Sequence, residues 1–205
     1  MSKKVVDTSG LDQDFIISLA QVKKAMALAN HQLELLPDHK ANAIIAASDE
    51  IISGKLHDQF IVDPIQGGAG TSSNMNVNEV ITNRAIEILN GVKGDFSVVH
   101  PNDDVNKGQS TNDVYPTAGK LTLLKKIPLL MAELERLSEV FKDKSTEFES
   151  ILKLGRTQLS DAVPITLGQE FHAYYSVTER NIKRLIHARE ELLAVNLGGT
   201  AIGTG

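Results

Sequence analysis

The chain has 205 residues, a formal net charge of −5, no cysteine, no tryptophan and only 4% aromatic residues. That length holds a core and one or two domains, while the mild acidity argues against nucleic acid as a partner. Without cysteine there is no disulfide, thiolate nucleophile or cysteine-ligated zinc, and so few aromatics leave no platform for stacking bases.

The N-terminus, Met1-Ser2-Lys3-Lys4-Val5-Val6-Asp7, lacks an apolar signal core, and no apolar run is long enough to span a bilayer. A soluble, cytoplasmic protein is the expectation. The first helix is expected to begin near Ser9, where Ser9 and Asp12 have capping-box spacing. Phe15, Leu19, Val22, Met26, Ala29 and Leu33 then recur at steps of three and four, giving one apolar face. Pro37 closes this helix, and Asp38 is the expected N-cap of the next, which carries Ile44, Ile45, Ile51 and Ile52 up to Gly54.

Phe60-Ile61-Val62 reads as a short strand or a buried extended segment. A glycine-rich loop, Gln66 to Ser73, leads to a third helix from near Asn74 to Asn90-Gly91. The polar stretch His100 to Asp113 is too long for a simple turn, and loops of that size in compact domains are often functional. From Pro116, the residues Leu123, Ile127, Leu130, Leu134, Leu137, Phe141, Phe148 and Ile151 trace one seam, predicting a helix from Pro116 to Lys153 of about 57 Å. Pro128 inside it removes a backbone hydrogen bond and predicts a kink. Gly155 to Pro164 reads as a reversing loop. A second long helix follows, with Phe171, Tyr175, Ile182, Leu185 and Leu192 on its seam.

The expected fold class is mainly α. A helical N-terminal domain, residues 1–112, precedes the first two long helices of a central bundle, residues 113–205. Two long helices cannot bury two seams and every other apolar face by themselves, so the bundle needs further partners. The missing partners are expected from other subunits or from an absent C-terminal part.

Three segments carry candidate chemistry. In the first, Gly68-Ala69-Gly70 lacks the third small residue of a dinucleotide fingerprint, since Ser73 stands there, and no phosphate loop ending Gly-Lys-Ser/Thr occurs. Thr71, Ser72 and Ser73 near a helix N-terminus suit a carboxylate instead. In the second, a calcium loop starting at Asn102 would put Lys107 where glycine is needed, and Ser110 in Gly-Gln-Ser-Thr-Asn is no nucleophile elbow. Ser110, Thr111 and Asn112 can cap the long helix, and capping is compatible with substrate binding at the same helix end. In the third, Gly155 to Phe171, Arg156 and Asp161 can form a structural ion pair. Composition does not choose between that and a binding role.

Together these segments resemble the aspartase/fumarase superfamily over roughly Leu11 to Gly205, and within it the aspartate ammonia-lyases. The resemblance rests on Phe60-Ile61-Val62-Asp63-Pro64-Ile65-Gln66-Gly67-Gly68-Ala69-Gly70-Thr71-Ser72, on Gln109-Ser110-Thr111-Asn112-Asp113, and on Gly155-Arg156-Thr157-Gln158 through Phe171. Fumarases usually carry serine in place of Thr111 and histidine in place of Gln158, as some aspartases do at the latter. His100-Pro101-Asn102-Asp103-Asp104 and Leu197-Gly198-Gly199-Thr200 are closer to fumarase.

The resemblance implies reversible elimination of ammonia from L-aspartate to give fumarate, with no cofactor and no metal. It implies that Thr71, Ser110 and Thr111 hold the carboxylate that becomes an enediolate. Asn112 and Gln158 then lie near the amino group and Thr157 near the other carboxylate. His100, Asn102 and Asp103 resemble a second anion site of fumarases. The family's general base is a serine in a motif like Gly-Ser-Ser-x-Met-Pro-x-Lys-x-Asn, which these residues do not contain. Its active sites are assembled from three subunits of a homotetramer. The expectation is therefore an N-terminal portion that is inactive alone. The alternatives are a fumarate hydratase and a non-catalytic helical fragment or assembly partner.

Overall fold

A computed structural model describes residues 10–65 and 69–204. The expected cap at Ser9 and the loop residues Gln66, Gly67 and Gly68 lie outside them. The chain divides into two compact units, Met1–Thr122 with Val195–Gly205, and Leu123–Ala194.

The first unit is built on three helices. Helix α1 (Gln13–Gln32) starts at Asp12, whose carboxylate accepts from the Asp14 and Phe15 backbone N–H groups. Leu19 and Val22 of the expected face are buried, whereas Leu33 falls past the helix end and is 67% exposed. Helix α2 (Asp38–Ile52) corrects the expected cap: Pro37 takes that position, and Asp38 is the first helical residue. The Asp38 carboxylate instead meets His31 Nε2 at 3.0 Å. Helix α3 (Thr71–Ile88) begins three residues before the expected Asn74, because Gly70 at φ +83° turns the chain directly into it.

Leu19, Ile44, Ile51, Val77, Ile81 and Ile86 close the core between these helices, and each large aliphatic side chain sealed there stabilises the fold by about 1.5–3 kcal/mol. Arg84 of α3 donates twice to Glu50 of α2, at 2.8 and 2.9 Å. Those bonds hold the Glu50 carboxyl below its ordinary range.

The expected strand at Phe60-Ile61-Val62 does not form. A 3₁₀ turn, His57–Gln59, leads into it, Phe60 is buried and Ile61 is 85% exposed. A single anchoring ring explains the apolar run.

Helix α4 (Thr111–Glu147) has 37 residues. It begins before the expected Pro116 and ends before the expected Lys153. The early start depends on a partner distant in the chain. Pro116 has no N–H for the Asn112 carbonyl one turn back, and that carbonyl accepts from Asn196 Nδ2 at 2.6 Å instead.

The second unit comprises the rest of α4, a hairpin and α5 (Leu167–Glu191). The expected loop at Gly155 to Pro164 is an antiparallel pair, β1 (Leu152–Thr157) with β2 (Ser160–Thr166). Helix α5 opens with a capping box: Thr166 accepts from Gln169 N–H, and the Gln169 side chain accepts from Thr166 N–H. At Gly168 an added Cβ would lie 2.5 Å from the Ser145 carbonyl oxygen of α4, so this crossing needs glycine. Phe141, Phe148, Phe171 and Tyr174 pack edge to face or tilted between α4 and α5. Leu123, Leu130 and Leu137 of the expected α4 seam remain 49%, 52% and 41% exposed. A two-residue pair, β3 (Gly199–Thr200) with β4 (Gly203–Thr204), ends the described chain within the first unit.

Candidate functional site

The first unit gathers polar groups where α4 begins. Ser110 immediately precedes the helix, and its N–H donates to Asp113 Oδ1 at 2.9 Å. Ser110 Oγ accepts from Asn112 N–H at 3.2 Å and from Asn112 Nδ2 at 3.1 Å. Both lone pairs of that hydroxyl are thereby used, and its proton is left to donate. Thr111 Oγ1 accepts from Asn74 Nδ2 at 3.2 Å, which leaves its proton in the same condition. Two short neutral donors thus stand side by side at a helix N-terminus, where backbone N–H groups and the helix dipole also favour an anion.

Asp113 fastens the turn to the end of the chain. Its side chain is buried, and its second oxygen accepts from Gly198 N–H at 2.9 Å. Gly108, Gln109, Ser110, Asp113, Gly198, Gly199 and Thr200 line a cleft of about 220 Å³. Thr71 is the exposed first residue of α3, whose N-terminus has no side-chain cap.

Below the turn lies Lys23, a fully buried lysine of α1. Its Nζ donates to Asn106 Oδ1 at 2.7 Å and to Gln109 Oε1 at 3.0 Å. Burial pushes its ammonium down from the ordinary 10.5 to about 7, while the Asp113 carboxylate pulls it back up. Between those two pH values the unfolded chain holds a proton that the folded chain lacks, so stability rises with pH. Urea unfolding is expected to show a gain of about 2 kcal/mol from pH 7 to pH 9, and Lys23→Met should lack this increment.

His100, Asn102 and Asp103 share one π-helical turn, Pro101–Val105 with His100 as its cap. His100 Nδ1 accepts from the backbone N–H groups of Asn102 and Asp103 at 3.3 and 3.1 Å. Asp104 accepts from His100 N–H at 2.8 Å and from Lys40 Nζ at 2.7 Å.

Thr157 and Gln158 belong to the second unit, at the hairpin tip. Gln158 and Leu159 both have positive φ, 50° and 61°, which is the conformation of a tight primed turn made without the usual Asn-Gly. Arg156 and Asp161 pair across the strands at 3.6 Å, with exposures of 71% and 62%. A pair that exposed contributes little stability.

The sequence reading missed Lys23, Asn74, Asn106 and Asp113. Asp113 had a signal, because Ser110-x-x-Asp113 has capping-box spacing. Asn74 and Asn106 had none, since isolated amides carry no pattern.

A family model described as lyase matches residues 3–205. The aspartate ammonia-lyase of Bacillus subtilis (strain 168) is 55% identical over 195 residues, covering 95% of this chain and 41% of that protein. The aspartate ammonia-lyase of Escherichia coli (strain K12) is 50% identical over 193 residues, covering 94% and 40%. A solved fumarate lyase:delta crystallin from Brucella melitensis, bound to cobalt, is 52% identical with a TM-score of 0.82, covering 98% of this chain and 44% of that one. A class II fumarase from Schistosoma mansoni is 34% identical with a TM-score of 0.80, covering 99% and 43%. The chain spans about two fifths of the length of the curated relatives it matches. Its mainly α architecture is that of the fumarase/aspartase-like fold, and with a match that takes in both units and every segment described above, the chain belongs to the lyase family.

Proposed function

We propose that the protein containing this chain is an aspartate ammonia-lyase, which reversibly eliminates ammonia from L-aspartate to give fumarate. The observation that carries this reading is the pair of hydroxyls at the start of α4, Ser110 and Thr111, each accepting from an amide and left with a proton to donate. Removing the proton next to a carboxylate spreads negative charge onto that carboxylate as an enediolate. Fixed neutral donors stabilise that charge, and losing one such donor costs about 3 kcal/mol of barrier. On this reading Ser110, Thr111 and Thr71 hold the reacting carboxylate. Asn112 and Gln158 orient the amine without trapping it by charge, and Thr157 binds the second carboxylate. Curated relatives at 50–55% identity carry the aspartate ammonia-lyase name, which supports amine over hydroxyl as leaving group.

The reading extends to a cytoplasmic homotetramer in aspartate metabolism. No helix among the described residues is long and apolar enough to cross a membrane, and the exposed leucines of α4 suit burial by other copies. The 205 residues contain no Gly-Ser-Ser-x-Met-Pro motif to supply the base, so this polypeptide by itself is expected to give no fumarate.

The test is to express whole the reading frame that holds these residues and follow fumarate absorbance with L-aspartate and with L-malate. Fumarate from aspartate, by a tetramer in light scattering, is the expected result. Turnover of malate alone would replace the proposal with a hydratase.

A further inference from the structure

We infer that Lys23 is a positioning residue: from beneath the Ser110–Thr111 turn it sets the direction of a hydrogen-bond relay, so that the Thr111 hydroxyl donates outward. This rests on the proposed lyase reading for the use made of that donor, but the relay itself stands on geometry.

Lysine is the one member of the buried group that cannot present an amide oxygen. Whether charged or neutral, its nitrogen keeps at least two N–H donors. Those two are accounted for, at Asn106 Oδ1 and Gln109 Oε1. Asn106 must therefore turn its oxygen toward Lys23 and its Nδ2 away, and that Nδ2 donates to the Gln109 carbonyl at 3.1 Å. Gln109 is turned likewise, and its Nε2 donates to the Val105 carbonyl at 2.9 Å.

Asn106 Oδ1 also faces Asn74. Two amide oxygens would repel there, so Asn74 presents Nδ2, at 3.2 Å. The other hydrogen of the same Nδ2 reaches Thr111 Oγ1, also at 3.2 Å. Nothing on the other side of Asn74 competes, because its buried Oδ1 has no partner among the described residues. Thr111 Oγ1 is thus made an acceptor from within, and its hydrogen points to whatever lies outside. If Asn74 were reversed, the threonine would donate inward and offer only lone pairs to a carboxylate. The direction follows from one amine, three hydrogen bonds away, whose N–H groups are given to the two amide oxygens, which is why an amine sits in a pocket of amides.

Two experiments test this. The first uses the 205-residue chain and needs no substrate. In ¹⁵N NMR, Lys23→Met is expected to shift the side-chain amide signals of Asn106, Gln109 and Asn74. Asn78, equally buried one turn along α3, should stay in place. Unchanged Asn74 and Asn106 signals would overturn the relay, and so would equal disturbance of Asn78, which marks general loosening. The second is a double-mutant cycle in the whole protein. Thr111→Val is expected to lower kcat/KM for aspartate about 100-fold, and Lys23→Met about 10-fold. Together they should lose no more than Thr111→Val alone, because Lys23 acts through Thr111. Asn74→Asp, isosteric but with no donor, supplies a second arm if Lys23→Met folds poorly, and it too should add nothing to Thr111→Val. Multiplying losses would overturn the inference. Absence of aspartate turnover in the parent protein would overturn the lyase reading and the role of Thr111 in it, a failure separate from that of the NMR result.

Discussion

Asp113→Ala is expected to lower the unfolding free energy of the chain by about 3–5 kcal/mol, as for a buried charge left without its partner. Asp113 is 1% exposed, and its carboxylate accepts from two backbone N–H groups, those of Ser110 and Gly198. Alanine deprives both of their acceptor and removes the negative charge that offsets the burial of Lys23. Urea unfolding followed by circular dichroism measures the loss. A second signature distinguishes this from a general packing defect. Without Asp113 the Lys23 ammonium should titrate lower still, so the rise of stability with pH should begin at lower pH than in the parent chain. Asp113→Asn should cost less, because one oxygen survives to accept, although the new NH₂ must face an N–H. A loss under 1 kcal/mol for Asp113→Ala would mean that the Gly198 segment contributes nothing to holding the turn.

Gly70→Ala is the other large effect, at about 2–4 kcal/mol. Gly70 sits at φ +83°, and a Cβ there would lie 2.4 Å from the ring of Tyr115. The left-handed backbone alone costs an L-residue about 1–2 kcal/mol. The ring cannot give way freely, since Tyr115 packs edge to face on Phe15 with centroids 5.0 Å apart. Tyr115 lies in the first turns of α4, so the displaced ring pushes on the helix that Ser110 precedes and Thr111 opens. Thermal unfolding of the variant chain should show the stability loss, and near-ultraviolet circular dichroism should report the disturbed tyrosine. If alanine were accommodated with no change in either, the close approach of α3 to α4 would not be what demands glycine.

Helices were the legible part of this chain, for a simple reason. Leu19 and Val22, or Ile44 and Ile51, repeat with the period of the helix that buries them. Ends were less legible because caps are short-range choices among several suitable residues. Asp12 caps α1, and Pro37 rather than Asp38 precedes α2. The hairpin at 152–166 was illegible because Gln158-Leu159 is not a recognisable primed turn, and because its strands, in which only Gly155 is buried, carry no apolar alternation to read.

The candidate site divides in the same way. Ser110, Thr111 and Asn112 stood out because hydroxyls and amides at a helix start are a local pattern. Lys23 belongs to no such pattern: a lysine within α1 carries no local signal of a role. Only the tertiary structure reveals it as fully buried beneath residues 83 and 86 positions later in the chain.

By itself, then, the sequence determined the helical elements and the residue types at the head of α4, because periodicity and capping act over a few residues. The tertiary structure decided where α4 begins, through Asn196 reaching the carbonyl that Pro116 leaves open. It also decided which way the Thr111 hydroxyl points, through Asn74 and Asn106 above Lys23. Both depend on hydrogen-bond partners distant in the chain, and the direction of a hydrogen bond is set by what its partner is already bonded to.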